Sequence, residues 1–338
     1  MIKIGDRKLP PLILAPLAGI SDLPFRMLNR SFGCRFAFTE MISARSLVYQ
    51  SGQTLKMLST GPADRPLGLQ FLAEDRDVIR RALSLLKDNK YDIVNLNAAC
   101  PVEKVTRKGE GAGMLREPRK LRDLLRVMVK SSGIPVTVKI RSGWEGTSVN
   151  AREVALYARD AGIAGLFIHG RTREQRYAGA VDYRIIREVK EALDVPVIAS
   201  GDALSPQLIK KMFEETGCDG VLIARGGFGN PWIFRETEEF LSTGKIPDRP
   251  TIGEITETMI IHLDMCCDYH GEEKGTTLFR KFFAWYTRSL RGAKPLREKA
   301  FHASKKEQMA RIIRELRASQ ESPEHRLCGF SPPEPGTT

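Results

Sequence analysis

The stretch "PVTVKIRSGWEGTSVNAREVALYARDAGIAGLFIHGRT", residues 135–172, changes its periodicity twice. At 135–143, Val136, Val138 and Ile140 alternate with Thr137, Lys139 and Arg141, a spacing of two that predicts a strand with two unlike faces. At 150–162, "NAREVALYARDAG" carries apolar residues three and four apart, which predicts a helix. "GLFIHGRT" at 165–172 reads as a strand again. The whole is one strand–helix–strand unit, the connection that parallel strands require.

The same alternation extends in both directions. Further β-rich runs are "LILAPLA" (12–18), "FAFTEMI" (36–42), "PLGLQFL" (66–72), "YDIVNLNAA" (91–99), "PVIASGD" (196–202) and "GVLIARGG" (220–227). Helical spacing returns in "DRDVIRRALSLLKDNK", "PRKLRDLLRVMVKSSG" and "SPQLIKKMFEETG", with prolines at first turns and glycines at ends. Eight strands alternating with helices predict an α/β fold, a (β/α)8 TIM barrel. A doubly wound sheet fits less well: no GxGxxG follows the first strand, and "GEGAGM" (109–114) follows none. From Thr251 to Ala318 only helical patterns occur, after a linker marked by Gly244, Pro247 and Pro250. The expected organisation is a catalytic barrel over 1–245, a C-terminal all-helical domain over 246–318, and a disordered Pro- and Gly-rich tail over 319–338.

The 338 residues are 42% hydrophobic and 28% charged, in the range of soluble globular proteins. No apolar run is long enough to span a bilayer, and "MIKIGDRKLPPLILAP" lacks a cleavage signal, so a cytoplasmic protein without membrane association is expected. Cysteines at 34, 100, 218, 266, 267 and 328 show no regular spacing, which favours reduced thiols. His262, Cys266 and His270 would share a helix face, but no fourth ligand is evident and no metal is expected. Of the net charge of +12, the segment Lys274–Arg317 carries +10, with 13 Lys+Arg against 3 Asp+Glu. Phe282, Phe283, Trp285 and Tyr286 lie within that block, so it suggests a nucleic-acid-facing surface; a solvated helical face with core aromatics is the plainer alternative.

In a barrel of this class, function sits at the C-terminal ends of the strands. Gln70, Asn95, Asn97, Thr137, Lys139, Arg141, His169 and Arg171 all fall on inward faces near those ends. So many buried polar groups cost too much to serve packing alone, and a ligand site is the better account. The small turns "ASGDA" and "ARGG" after the last two strands stand where this fold receives phosphate, and Arg225 can add charge. A phosphorylated cofactor across the barrel mouth is the consequence, with FMN the natural candidate.

These residues also carry a resemblance. The chain resembles the tRNA-dihydrouridine synthases, the B-type bacterial enzymes in particular, through "APLAGISDLPFR" (15–26), "TEM" (39–41), "NAACPVEKV" (97–105), "PVTVKIRSGW" (135–144), "HGRTREQRYAG" (169–179), "SGD" (200–202) and "ARGGFGNPWIF" (224–234), and more loosely through "FRKFFAWY" (279–286). The resemblance implies an FMN enzyme that reduces the carbon 5–carbon 6 double bond of uridine in tRNA, with NADPH or NADH as reductant and no obligate protein partner. It implies flavin contacts from Pro16, Leu17, Ala18, Gln70, Lys139 and His169. Ser200, Gly201, Asp202, Ala224 and Arg225 would hold the phosphate, and Cys100 would be the proton donor. Asn97 and Arg141 in the barrel, with Arg280, Lys281 and Arg288 in the helical block, are expected to meet the RNA. Asn95, Ala98 and Ala99 stand where relatives commonly have Asp, Met and Gly; Leu17, Ser200 and Ala224 also depart from the usual pattern. Two alternatives are a barrel flavoenzyme of free pyrimidines, like dihydroorotate dehydrogenases, and a non-catalytic RNA-binding protein.

Overall fold

The computed structural model describes residues 1–86 and 91–321. The eight β-rich runs form one closed parallel barrel: β3 (Leu12–Leu14), β4 (Ala37–Ser43), β5 (Leu67–Leu72), β6 (Ile93–Ala98), β7 (Val136–Arg141), β8 (Gly165–His169), β9 (Val197–Ser200) and β10 (Gly220–Ile223), with β10 pairing back to β3. Several strands stop before the runs that announced them. The polar and glycine-containing ends, such as 170–172 and 224–227, leave the ladder and become loops of the barrel mouth.

A feature the sequence did not announce precedes the barrel. β1 (Ile2–Ile4) and β2 (Arg7–Leu9) form an antiparallel hairpin too short to show a period. Its Ile2, Ile4 and Leu9 join Ile13, Phe38, Ile93, Phe167, Ile198 and Leu222 in one buried cluster that seals the N-terminal end of the barrel. Phe38 and Phe167 meet edge to face at 5.5 Å. Gly68 makes room for Phe38: a Cβ there would lie 2.4 Å from the ring. Hydrocarbon fills the lower barrel, and each buried large side chain contributes about 1.5–3 kcal/mol.

The outer helices bury the predicted apolar stripes. Pro118–Ser131 turns Leu121, Leu124, Leu125 and Met128 inward, and Ala151–Asp160 does so with Ala151, Val154, Ala155 and Ala158. Pro206–Thr216 starts at Ser205, whose hydroxyl accepts the Leu208 N–H, and ends at Gly217 with φ +65°. The end of the predicted helix before β6, at 87–90, lies outside the described residues.

The chain divides into two compact units, Met1–Gly227 with Trp232–Lys245, and Phe228–Pro231 with the described residues from Ile246 onward. In the second unit four helices occur in order: Ile252–His270, Glu272–Tyr286, Lys294–His302 and Lys306–Glu321. Here the reading of the interleaved aromatics as surface is corrected. Phe279, Phe282, Phe283 and Tyr286 recur at helical spacing on one buried stripe, and Trp285 stacks on Phe228 at 4.1 Å. His262 packs among Phe279, Phe282 and Tyr286, with Nδ1 3.3 Å from the tyrosine hydroxyl. Among the described residues no group of His, Cys, Asp and Glu is arranged to hold a metal. The last helix runs to Glu321, so residues 319–321 of the expected tail are helical; 322–338, including Cys328, lie outside the described residues. No described helix is long and apolar enough to cross a membrane.

Candidate active site

Strand register sets the inward polar groups in rows. Gln70 is level with Asn95, which is level with Thr137; Asn97 is level with Lys139; Arg141 is level with His169, and His169 with Ser200. Gln70 Nε2 donates to Asn95 Oδ1 at 2.8 Å, and Asn95 Nδ2 to Thr137 Oγ1 at 2.9 Å. Asn97 Nδ2 donates to Gln70 Oε1 at 2.8 Å and lies 2.7 Å from Met41 Sδ. One amide chain thus crosses three strands and forms the floor of the mouth.

Asn97 also shapes the turn at the end of β6. Its Oδ1 accepts the main-chain N–H groups of Ala99 at 2.9 Å and Cys100 at 2.8 Å, so the chain bends sharply out of the strand at the cysteine. Arg141, buried to 2% exposure, supports this turn from the side. Its Nε donates to the Ala99 carbonyl at 2.8 Å, and its Nη1 to the carbonyls of Thr172 and Arg176 at 2.8 Å each. The Cys100 carbonyl accepts from Ala112 at 3.0 Å, and Gly111 permits that approach, since its Cβ would fall 3.0 Å from that of Cys100. Cys100 is therefore fixed from three directions at the end of the fourth barrel strand.

Burial governs the charges here. It raises the Cys100 thiol above its ordinary range, against the lowering effects of the Val102 main-chain hydrogen bond and of Arg141 and Lys139. It lowers Lys139 to about 7, with Arg141 adding repulsion and Cys100 a small opposing effect. Arg141 is lowered to about 10 by burial, which outweighs the raising influence of Tyr177 and Cys100. His169 is held well below its usual value, first by burial and then by Lys139, Arg141, Arg171 and Arg225. These groups make a neutral imidazole, a protonated thiol and a cluster of cations.

Where phosphate is expected, Ser200 Oγ donates to the Ile168 carbonyl at 3.1 Å. Gly201 adopts φ +120°, a conformation open to glycine, and a Cβ on it would come 3.0 Å from His169 Cδ2. Gly226 lies against the Ala203 carbonyl oxygen so closely that a Cβ would be 2.1 Å away. Asp202 takes both neighbouring guanidinium groups, Arg171 at 3.1 Å and Arg225 at 2.6 Å, so Arg225, expected to add charge here, is orientated by an acid. Tyr177 stands over this group, its ring centre 5.1 Å from Arg225 Cζ and 5.7 Å from Arg141 Cζ. The loop after β3 holds Pro16, Leu17 and Ala18; Leu17 N–H donates to Ser21 Oγ at 2.8 Å, and Leu17 and Ala224 pack on the barrel core. Glu40 accepts the Gly19 N–H and steadies the same loop.

Two observations bear on whether a phosphorylated flavin fits. His169 Nε2 is buried with no protein partner, and Gly201 brings its main chain close to it, since a Cβ there would fall 3.1 Å from Nε2. Lys139 lies close enough to His169 to depress its pKa, and no acid acts on the lysine itself. The residues suit an anionic, acceptor-rich ring system with a phosphate. Met41, Glu40, Ser21 and Tyr177 were not singled out from sequence, and for Thr137 and Asp202, which were, the partners were not legible, because hydrogen bonds across strands leave no periodic signal.

The remaining expected substrate residues lie in the helical unit. Arg280 Nε donates to the Ala303 carbonyl at 2.9 Å, Lys281 Nζ lies 5.0 Å from the Phe282 ring centre, and Arg288 is exposed.

A family model described as dihydrouridine synthase matches residues 13–322. The tRNA-dihydrouridine synthase B of Pseudomonas aeruginosa is 36% identical over 88% of this chain and 90% of its own. That of Xanthomonas axonopodis is 34% identical over 85% and 87%, and a probable tRNA-dihydrouridine synthase of Rickettsia bellii is 36% identical over 86% and 90%. Among solved structures, histamine dehydrogenase from a Rhizobium species is 13% identical with a TM-score of 0.56, over 78% of this chain and 50% of that one. 2-Naphthoyl-CoA reductase, also 13% identical, has a TM-score of 0.57 over 70% and 51%. At such identity these two speak for the barrel fold alone.

Proposed function

The chain belongs to the dihydrouridine synthase family and forms dihydrouridine in tRNA; from that premise we propose that FMN lies across the barrel mouth and that Cys100 donates the proton. When bound there, the flavin supplies the hydride for carbon 6 of the uracil. Lys139 and His169 would hold the ring system, with Gln70 and the Pro16–Ala18 main chain beside it. Ser200–Asp202 and Ala224–Arg225 would take the phosphate. NADPH is the proposed reductant, and NADH the alternative the assay separates.

Cys100 Sγ carries the proton that carbon 5 receives. Its raised pKa keeps the thiol protonated at neutral pH, as a general acid must be. Asn97 and Arg141 orient it through the main chain at Ala99 and Cys100. The target base must leave the RNA stack to reach a thiol at the barrel mouth, so the protein has to grip RNA while one nucleotide is extruded. Basic residues of the helical unit, Arg280, Lys281 and Arg288 among them, are proposed to provide that grip.

The observation that carries this reading is the placement of Cys100 just past the end of β6, where its thiol feels Arg141 and Lys139 and Arg141 holds the Ala99 carbonyl. The test is purified protein incubated with unmodified tRNA and either nicotinamide, with mass spectrometry of nucleosides and chromatography of the released flavin. Dihydrouridine with FMN in the protein supports it. A colourless protein that cannot be reconstituted would sink the flavin assignment.

A further inference from the structure

Three loops at the C-terminal ends of β6, β7 and β8 bring two guanidinium groups onto one indole. Arg116 closes the short turn Gly111–Arg116 that comes after Cys100, and its Cζ lies 5.0 Å from the Trp144 ring centre. Arg173, in the loop after β8, lies 4.5 Å from the same centre. Trp144 itself is pinned. The Arg173 N–H donates to the Gly143 carbonyl at 2.9 Å, and the Glu174 N–H to the Trp144 carbonyl at 3.0 Å. Gly143 tolerates no side chain, since a Cβ would fall 2.4 Å from the Ser148 carbonyl oxygen.

Ion pairing does not explain why these cations collect. Like charges gathered at one ring repel, and among the described residues neither guanidinium forms an ion pair with an acid. Neighbouring acids are engaged elsewhere: Glu117 pairs with Lys120, and the Glu145 side chain caps the turn Gly146–Ser148. Arg173 Nε is buried without a partner, an expense that an arriving anion would offset. Stacking on the indole restrains both side chains without neutralising them, so their planar donor forks stay available for an oxyanion. The turn that ends at Arg116 also holds the Cys100 carbonyl, through Ala112 at 3.0 Å.

We propose that Arg116 and Arg173, gathered on Trp144, bind one RNA phosphodiester beside the nucleotide presented to Cys100. This rests on the tRNA reading above and places a grip on the barrel itself, apart from the basic helices. Extruding a base reorients the flanking backbone, and a fixed double fork on the loops of the same barrel mouth would hold it in that state.

The test uses the full, flavin-loaded chain with Arg116→Ala, Arg173→Ala and the double variant, and with Arg173→Lys, which keeps charge but loses the fork. Transfer-RNA binding is measured across a salt series, and uridine reduction is resolved into kcat and KM. The double variant should bind tRNA on the order of tenfold more weakly, with a salt slope shallower by about one. KM should move more than kcat, and Arg173→Lys should fall between wild type and Arg173→Ala. If alanine variants lose flavin, the paired Arg→Gln variants carry the same test. Wild-type affinity and salt slope in the double variant, while wild-type protein forms dihydrouridine, would overturn the clamp and leave the tRNA reading standing. Wild-type protein that neither binds nor reduces tRNA would overturn both.

Discussion

Burial acts in opposite senses on Cys100 and Lys139, and each consequence can be measured. The thiol is pushed up, so its protonated form persists above the free-thiol value of about 8.5. Alkylation of Cys100 by iodoacetamide should therefore stay slow at pH 8–9, where a free cysteine reacts readily; rapid labelling there would contradict a protonated thiol. Cys100→Ala should keep flavin and tRNA binding but lower kcat by about 10²–10⁴-fold, and an unchanged rate would remove its role as acid. Lys139 is pushed down to about 7, against about 10.4 in an unfolded chain. Between those values the unfolded chain binds the extra proton, so this residue makes stability rise with pH. Lys139→Met should thus raise the Tm of flavin-free protein near pH 7 while lowering activity, and the Tm gain should shrink as pH approaches 10. A Tm loss at pH 7 would argue against a strained lysine.

At the level of elements, the alternation in β6 and β7 was enough to place Asn95, Asn97, Lys139 and Arg141 on the barrel interior, because a period of two dictates facing. Their mutual partners were not legible. That Asn97 gives its Oδ1 to Ala99 and Cys100 and its Nδ2 to Gln70 depends on register across strands far apart in sequence. The hairpin Ile2–Leu9 was hidden for a different reason, since three-residue strands show no periodicity. Asn97→Leu should leave two main-chain N–H groups and Gln70 Oε1 unpaired, at about 1–3 kcal/mol for each buried group. Urea unfolding should show that loss, accompanied by reduced kcat as the Cys100 turn relaxes. Full stability would mean that water replaces the amide. The Gly226 turn offers a second probe: Gly226→Ala forces a methyl to within 2.1 Å of the Ala203 carbonyl, so the loop must shift and flavin retention should fall.

Across the whole molecule, charge and hydrophobicity obey different signals in the Lys274–Arg317 segment. The cations were legible as a block from composition, but composition could not say which way Phe282, Phe283 and Tyr286 face. Their spacing on one helix buries them, and the basic side chains are left to the surface. This separates two ways of holding RNA. With Phe279, Phe282, Phe283 and Tyr286 in the core, the helix Glu272–Tyr286 offers the charges of Lys274, Arg280 and Lys281 with little ring surface for bases, so its contribution should be mainly to phosphate binding. Arg288, Arg291 and Lys294 are exposed and lie just beyond that helix in sequence, which makes them the residues to reverse. Changing all three to Glu should weaken tRNA binding by on the order of tenfold or more near 0.1 M salt, and should flatten the salt slope by about 0.7–0.9 for each phosphate released from the protein. Flavin content should be unchanged, since these side chains belong to the helical unit and the residues proposed to hold flavin belong to the barrel. The loss should also be nearly the same for different tRNA sequences, because phosphates carry no base identity. A triple variant with wild-type affinity and salt dependence would place the RNA surface outside this segment, and a loss confined to certain tRNAs would point to base recognition instead.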